Sequence, residues 1–350
     1  MTIPLRGGFF VVKFGLTVLK YTGHSTKPMN FKTIASVALV APALVACGSA
    51  DNTSFKLNGA GATFPAPLYN SWFQNMAQET GNKVNYQAVG SGAGVRQFAA
   101  KTVDFGASDG VVKDKDIPAG GMIQIPVTGG AIVPAYNMPG CDVKMTQTQL
   151  ADVFLGKIDN WSTFGCKDKK IVTVWRSDGS GTTKGFTNSL SAFSPEWAEK
   201  IGTGKSVSWP VGIGGKGNSG VAAGIKQLEG AIGYLNYGYV NGGQFQQVSL
   251  QNKAGIFVKA NANTSAEGLA NIQLDDKLRG ENPNPESVGS YPIVSLTWIL
   301  AYPESRTGVK ETLRYMLSED AQAQSDALGY VPLPESLRQK ALAAVDTINE

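Results

Sequence analysis

Three times in this chain a segment with strand character breaks into glycine, serine and threonine and then resumes with apolar residues at helical spacing. Val84, Tyr86 and Ala88 alternate before Gly90-Ser-Gly-Ala-Gly94, and Val95, Phe98 and Ala99 follow. Ile171, Val172, Val174 and Trp175 lead into Arg176-Ser-Asp-Gly-Ser-Gly-Thr-Thr183, and Phe186, Leu190 and Phe193 follow. A third turn, Gly59-Ala-Gly-Ala-Thr-Phe-Pro-Ala-Pro-Leu-Tyr69, opens a helix with Leu68, Trp72 and Met76 on its apolar face and Gly81 at its end. Alternation at period two marks a half-buried strand, and spacings of three and four mark a helix. The order strand, turn, helix predicts an α/β fold with parallel sheets, in which ligands lie beyond the carboxyl ends of the strands, where these turns fall.

Other segments read the same way. Thr146 and Gln149 form a capping box ahead of Leu150, Val153 and Phe154, with Gly156 closing the turn. Val221, Ile225 and Leu228 trace a helix before a strand-like run from Ala231 to Val240. Residues 252–290 are more polar and less periodic, and Asn282-Pro-Asn-Pro285 breaks any regular element. A long apolar strand is expected from Ile293 to Tyr302, then helical residues Val309, Leu313, Met316 and Leu317. The sequence contains no internal repeat.

The turns concentrate groups that an oxyanion needs. Arg176 offers a fixed fork of N–H donors, Ser180, Thr182 and Thr183 offer hydroxyls, and Gly179 and Gly181 let backbone amides approach a ligand closely. Pro65 and Pro67 suit a first helical turn, which places Thr63 and Phe64 at the helix N-terminus, and Ser91 starts the helix after Gly90. Each turn alone reads more readily as a capped loop; three turns of one chemistry point to an anion held at helix N-termini. Asp109, at the end of Val103-Asp-Phe-Gly-Ala-Ser-Asp109, breaks the pattern. An ionised carboxylate only accepts hydrogen bonds, so it suits an anion that carries a proton, as phosphate does and sulfate at neutral pH does not. The other reading of Asp109 is a turn cap.

Composition narrows the function classes. Residues 1–46 contain Arg6, Lys13, Lys20, Lys27 and Lys32, no acid, and an apolar run from Thr33 to Ala46. This is the pattern of an export signal, complete in itself if translation starts at Met29, and Leu44-Val-Ala-Cys47 resembles a bacterial lipobox, which implies a lipid on Cys47. Removing residues 1–46 lowers Lys plus Arg from 31 to 26 against 27 acids, a net charge of about −1, so no basic surface remains for nucleic acid. The single histidine, His24, leaves with the leader, which excludes His-based triads and His-ligated zinc. Cys141 and Cys166 then remain in a chain exported to an oxidising compartment, and a bridge between them is expected, with two free thiols as the alternative.

In sequence order, Gly59–Tyr69, Gly81-Asn-Lys-Val-Asn-Tyr-Gln87, Val103–Asp109, Asp178-Gly-Ser-Gly-Thr182 and Gly214-Gly-Lys-Gly-Asn218 together resemble the phosphate-binding proteins of bacterial phosphate ABC transporters. The similarity is close over about residues 57–240 and continues weakly through Gly329-Tyr-Val-Pro-Leu-Pro334. It implies a two-lobed periplasmic-binding-protein fold of type II, with the ligand cleft between the lobes and a hinge of crossing strands. Lobe 1 would comprise residues 57–129 plus 293–350, lobe 2 residues 130–292, and residues 47–56 a lipid-anchored linker. The resemblance implies phosphate ligands Thr63, Phe64, Ser91, Asp109, Arg176, Ser180, Gly181 and Thr182, with Asp178 orienting Arg176. It further implies no cofactor, no metal and no catalysis. Its partners would be inorganic phosphate and an ABC permease with its ATPase, and the protein would be a monomer outside the cytoplasmic membrane, held to a membrane of the cell envelope by the lipid alone.

Two other classes compete. A phosphatase using Ser180 or Ser91 would lack both a histidine and the Gly-x-Ser-x-Gly elbow. Gly202-Thr-Gly-Lys-Ser206 looks superficially like a nucleotide loop, but Glu199 stands where the first glycine is needed, and the segment reads as a surface turn. An envelope lipoprotein that sequesters or senses phosphate would share the same site.

Overall fold

The computed structural model describes residues 54–350, so the expected export signal and Cys47 lie outside the described residues. The chain opens with β1 (Lys56–Gly61), α1 (Ala66–Thr80), β2 (Lys83–Ala88), α2 (Ser91–Ala99) and β3 (Phe105–Ser108). A long β4 (Ile123–Tyr136) follows, then β5 (Lys144–Met145), α3 (Gln147–Phe154), β6 (Val172–Arg176), α4 (Gly181–Phe193) and α5 (Pro195–Lys200). Next come β7 (Ile213–Gly215), α6 (Gly217–Gln227), β8 (Ala231–Asn236), β9 (Gln246–Gln247), β10 (Ser249–Gln251), β11 (Phe257–Val258) and α7 (Ala262–Ala270). The chain closes with β12 (Val294–Ala301), α8 (Val309–Met316), α9 (Glu319–Ala323) and α10 (Glu335–Asp346).

The main sheet runs β2-β1-β3-β12-β4-β8-β6-β7, with β9 also on β4. At one end β1 pairs in parallel with β2 and β3; at the other β6 pairs in parallel with β7 and β8. These are the parallel sheets expected from the sequence. Between them the sheet is mixed, because β12 runs antiparallel to β3 and β4, and β4 antiparallel to β8. The difference comes from β4, whose 14 residues are almost all buried and therefore show no alternation to read. One half of β4 pairs with β12 and the other with β8, so it ties the two parallel groups into one sheet.

The local signals hold. Gly81 takes the left-handed conformation and caps α1 with its N–H on the Ala77 carbonyl, and Thr146 and Gln149 close the capping box of α3. Cys141 and Cys166 form a disulfide across 25 residues with Cα atoms 5.6 Å apart. The strand expected from Ala231 to Val240 ends sooner, at Asn236, whose side chain accepts from Gly238 N–H and turns the chain into a 3₁₀ helix. The polar stretch 252–290 hides α7, started by a reciprocal cap between Asn261 and Thr264.

Candidate functional site

All three glycine-rich turns emerge at the carboxyl ends of parallel strands, β1, β2 and β6, and they meet. Ser91, the first residue of α2, sits at the junction. Its hydroxyl lies 3.3 Å from Asp109 Oδ2 and accepts from Asp109 N–H at 3.2 Å and from Gly181 N–H, across the cleft, at 3.1 Å. Gly92 N–H donates to Gly179 O at 2.8 Å beside it. Two of the glycines are dictated by this closeness. A Cβ on Gly181 would stand 2.6 Å from Ser91 Oγ and 2.8 Å from Asp109 N, and one on Gly90, at φ +92, would stand 2.2 Å from Asp178 Oδ2.

Arg176 ends β6 with its guanidinium locked in place. Nε donates to Asp178 Oδ1 at 2.7 Å and Nη2 to Asp178 Oδ2 at 2.5 Å, a two-point fork, while Nη1 reaches Thr182 Oγ1 at 3.4 Å. Its backbone N–H donates to the Tyr234 hydroxyl, which also contacts Thr183 Oγ1. Burial works to raise the Asp178 pKa, but the hydrogen bonds and charge of Arg176, with Gly217 N–H at 2.9 Å, outweigh it and hold the carboxylate below its usual range. Ser180 caps α4 by accepting from Thr183 N–H at 3.0 Å. Gly181 and Thr182 are therefore first-turn residues whose amides point out of the helix end toward the same space.

Asp109, just past β3, joins this cluster through Ser91 Oγ. Only 2% of Asp109 and 2% of Arg176 is exposed. Thr297 Oγ1 donates to Asp109 Oδ1 at 2.9 Å, and Ser295 Oγ donates to the Asp109 carbonyl at 2.9 Å. Both hydroxyls come from β12, whose register slips against β4 between Thr297 and Trp298. Burial raises the Asp109 pKa to about 7, against the lowering pull of Thr297, Arg176, Ser91 and Lys205.

Thr63 completes the ring from the first turn. Asn218, at the start of α6, donates its amide N–H to Thr63 Oγ1 at 3.1 Å and its side-chain Nδ2 to the same oxygen at 2.9 Å, with Thr182 Oγ1 3.3 Å from Nδ2. The carbonyls of Thr63 and Phe64 accept from the hydroxyls of Tyr239 and Tyr330 at 2.7 and 2.8 Å. Phe64 N–H finds no acceptor among the described residues.

Of the residues expected from the sequence, Ser91, Asp109, Arg176, Ser180, Gly181 and Thr182 converge with Asp178 behind Arg176, and Thr63 joins them through Asn218 with Phe64 beside it. Sequence reading missed Asn218, Thr297 and Lys205. Asn218 closes the motif Gly214–Asn218, which follows a strand and opens a helix like the other turns and could have been read the same way. Thr297 is one of few hydroxyls in the apolar run 293–302. Lys205 belongs to the turn read as surface; its carbonyl accepts Ser180 N–H at 2.8 Å and anchors the Arg176 loop. A separate cavity of about 870 Å³ opens between α7 and α10, but Leu269, Leu296, Leu333 and Leu337 line it, and it lacks the donors of the cluster.

The profile of the PBP superfamily domain matches residues 48–320. The phosphate-binding protein PstS of Pasteurella multocida is 41% identical over 81% of this chain and 88% of its own, and that of Xylella fastidiosa strain Temecula1 37% identical over 92% and 93%. The chain belongs to the PstS proteins of this superfamily. PstS proteins are solute-binding proteins and not enzymes, and the phosphatase reading falls with that membership. Solved structures share the fold at lower identity. A phosphate-binding protein of Stenotrophomonas maltophilia superposes with TM-score 0.64 at 20% identity, over 82% of this chain and 93% of that one. An ABC-type phosphate transport receptor of Vibrio cholerae superposes with TM-score 0.55 at 18% identity, over 79% and 100%.

Proposed function

We propose that this protein captures inorganic phosphate in the buried cluster and delivers it to the permease of an ABC transporter. The observation that carries the reading is that Ser91 Oγ joins two held groups: it lies against Asp109, locked by Thr297, and accepts from Gly181 N–H in the loop where Asp178 locks Arg176. Arg176 supplies a rigid cationic fork. Ser91, Ser180 and Thr182 supply hydroxyls, Phe64, Gly181 and Thr182 amides, and Thr63 the far wall with Asn218. Asp109 accepts the proton that phosphate carries, which leaves a fully deprotonated tetrahedral anion with two acceptors face to face. Dipoles at helix starts stabilise the anion without a net positive surface.

The ligand set, the division into lobes of residues 57–129 plus 293–350 and 130–292, the lipid anchor at Cys47 and the monomeric state belong to the same reading. So does a periplasmic location; among the described residues no helix is long and apolar enough to cross a membrane. Phosphate favours the closed arrangement because each side of the cleft holds part of its cage. Titration of the protein freed of residues 1–46 with phosphate and sulfate at two pH values tests it. Phosphate is expected to bind and sulfate to fail at the higher pH; equal binding of both would refute the assignment.

A further inference from the structure

The turn Gly202-Thr-Gly-Lys-Ser206 follows α5 and has no part in the ring of donors, yet it touches both sides of the cleft. Through its carbonyl Lys205 holds Ser180 N–H at 2.8 Å, on the Arg176 side. Through its side chain it crosses to the Asp109 side, where Nζ donates to Ser108 Oγ at 3.3 Å. Ser108 ends β3 and bonds Gly110 with the same hydroxyl, 2.6 Å to its carbonyl and 3.2 Å to its N–H, so it frames Asp109 from both chain directions.

Lys205 is half-buried, and no carboxylate among the described residues forms an ion pair with it, whereas its neighbour Lys184 is paired with Glu281. Burying an ammonium without a counter-ion is costly, and the cost falls if an anion arrives next door. Arg176 is already neutralised by Asp178. Lys205 is thus a cation without an ion-pair partner among the described residues, beside a site that must hold both a phosphate and Asp109.

The geometry points to Lys205 as a specificity-determining latch of the phosphate site: its ammonium bridges the closed cleft to Ser108 and keeps Asp109 in the proton-accepting form that phosphate needs. This rests on the phosphate reading above. The charged groups facing Asp109 are Arg176 from β6 and Lys205, with hydrogen bonds from Ser91 of α2 and Thr297 of β12. The phenols of Tyr69, Tyr86, Tyr239 and Tyr330 surround it uncharged, their pKa values pushed up chiefly by burial. Around Lys205 stand Lys184, Asp116 and Glu281; burial and Lys184 lower its own pKa, while Asp109 and the other two acids raise it.

The test compares the protein with Lys205→Met, Lys205→Gln and Lys205→Arg. Each is titrated with phosphate and sulfate from about pH 5.5 to about pH 8.5, across the range where the carboxyl changes charge, and each is melted without ligand. Loss of the ammonium lets Asp109 keep its proton to higher pH, and a protonated carboxyl donates to sulfate. Lys205→Met is expected to weaken phosphate about tenfold. It should also move the pH below which sulfate competes upward. Lys205→Gln should repeat both effects if the methionine variant folds poorly, and Lys205→Arg should restore wild-type behaviour. Charge-removed variants that melt and bind like wild type would overturn the latch alone, as would weaker phosphate binding with no displacement of the sulfate profile. Wild type that takes up no phosphate would overturn the site reading and the latch with it.

Discussion

Replacing Asp109 by Asn isolates the proton-accepting function with almost no change of shape. The side chain is buried, with one oxygen held by Thr297 at 2.9 Å and the other 3.3 Å from Ser91 Oγ on the ligand side. In Asp109→Asn the carbonyl oxygen keeps the Thr297 bond, and an NH₂ group replaces the acceptor that faced the anion. For sulfate, an acceptor-against-acceptor contact becomes a hydrogen bond to a charged group, a change of about 3 kcal/mol, or on the order of 100-fold. For phosphate, the lost proton bond is offset by removal of a like charge, so its affinity should change by no more than about tenfold.

Isothermal calorimetry with both anions at pH 8.5, on the order of one unit or more above the Asp109 pKa, reads the difference, because there the wild-type carboxylate is ionised. As pH falls through about 7 the wild-type carboxyl protonates and itself becomes a donor, and the gap between the two proteins should narrow. Equal rejection of sulfate by wild type and Asp109→Asn at the higher pH would refute the argument.

The same carboxyl shapes stability. Its pKa is about 7 in the fold against an ordinary 3.8, so the folded state binds more protons between those values and stability declines as pH rises through that window, by about 4 kcal/mol when complete. Denaturant melts of unliganded protein should therefore show Asp109→Asn gaining on wild type between about pH 4 and pH 7, and parallel curves would contradict the assigned burial. Arg176→Ala removes the cationic fork and leaves Asp178 without its partner, and phosphate binding by calorimetry should weaken by at least 3 kcal/mol, roughly 100-fold or more. Gly181→Ala puts a methyl 2.6 Å from Ser91 Oγ and 2.7 Å from Asp109 Cβ. That variant should fold normally yet lose roughly 100-fold in phosphate affinity because the cleft cannot close, and scattering should show a larger radius with phosphate than wild type has. Reducing the Cys141–Cys166 bridge opens a loop closed over 25 residues and should lower stability by about 3 kcal/mol in a denaturant melt, with phosphate affinity unchanged.

Much of the fold and the cluster was legible in the chain because it is local. A glycine that must turn left-handed after α1, a threonine and glutamine three positions apart at α3, and a serine one residue before α4 each act within a turn of backbone, and the structure has all three. Arg176 and Asp178 are two residues apart, so their fork was readable as well. The polar segment around α7 was not, because its helix starts from a cap between Asn261 and Thr264 and has only a few buried residues to supply a period.

What the sequence determined by itself is the chemistry each turn can offer and the absence of histidine from residues 47–350; charge and hydrogen-bonding capacity belong to residues singly. What only the tertiary structure decided is which of these groups meet. Thr63 and Asn218 are 155 positions apart, Ser91 and Gly181 are 90, and Asp109 and Thr297 are 188. Their meeting depends on the register of β12 and on a nearly fully buried β4, and a strand buried on both faces carries no alternation from which its pairing can be read. The reach of Lys205 from one side of the cleft to Ser108 on the other is of the same kind: a long side chain on a turn becomes functional only when folding brings the facing strand end to within 3.3 Å.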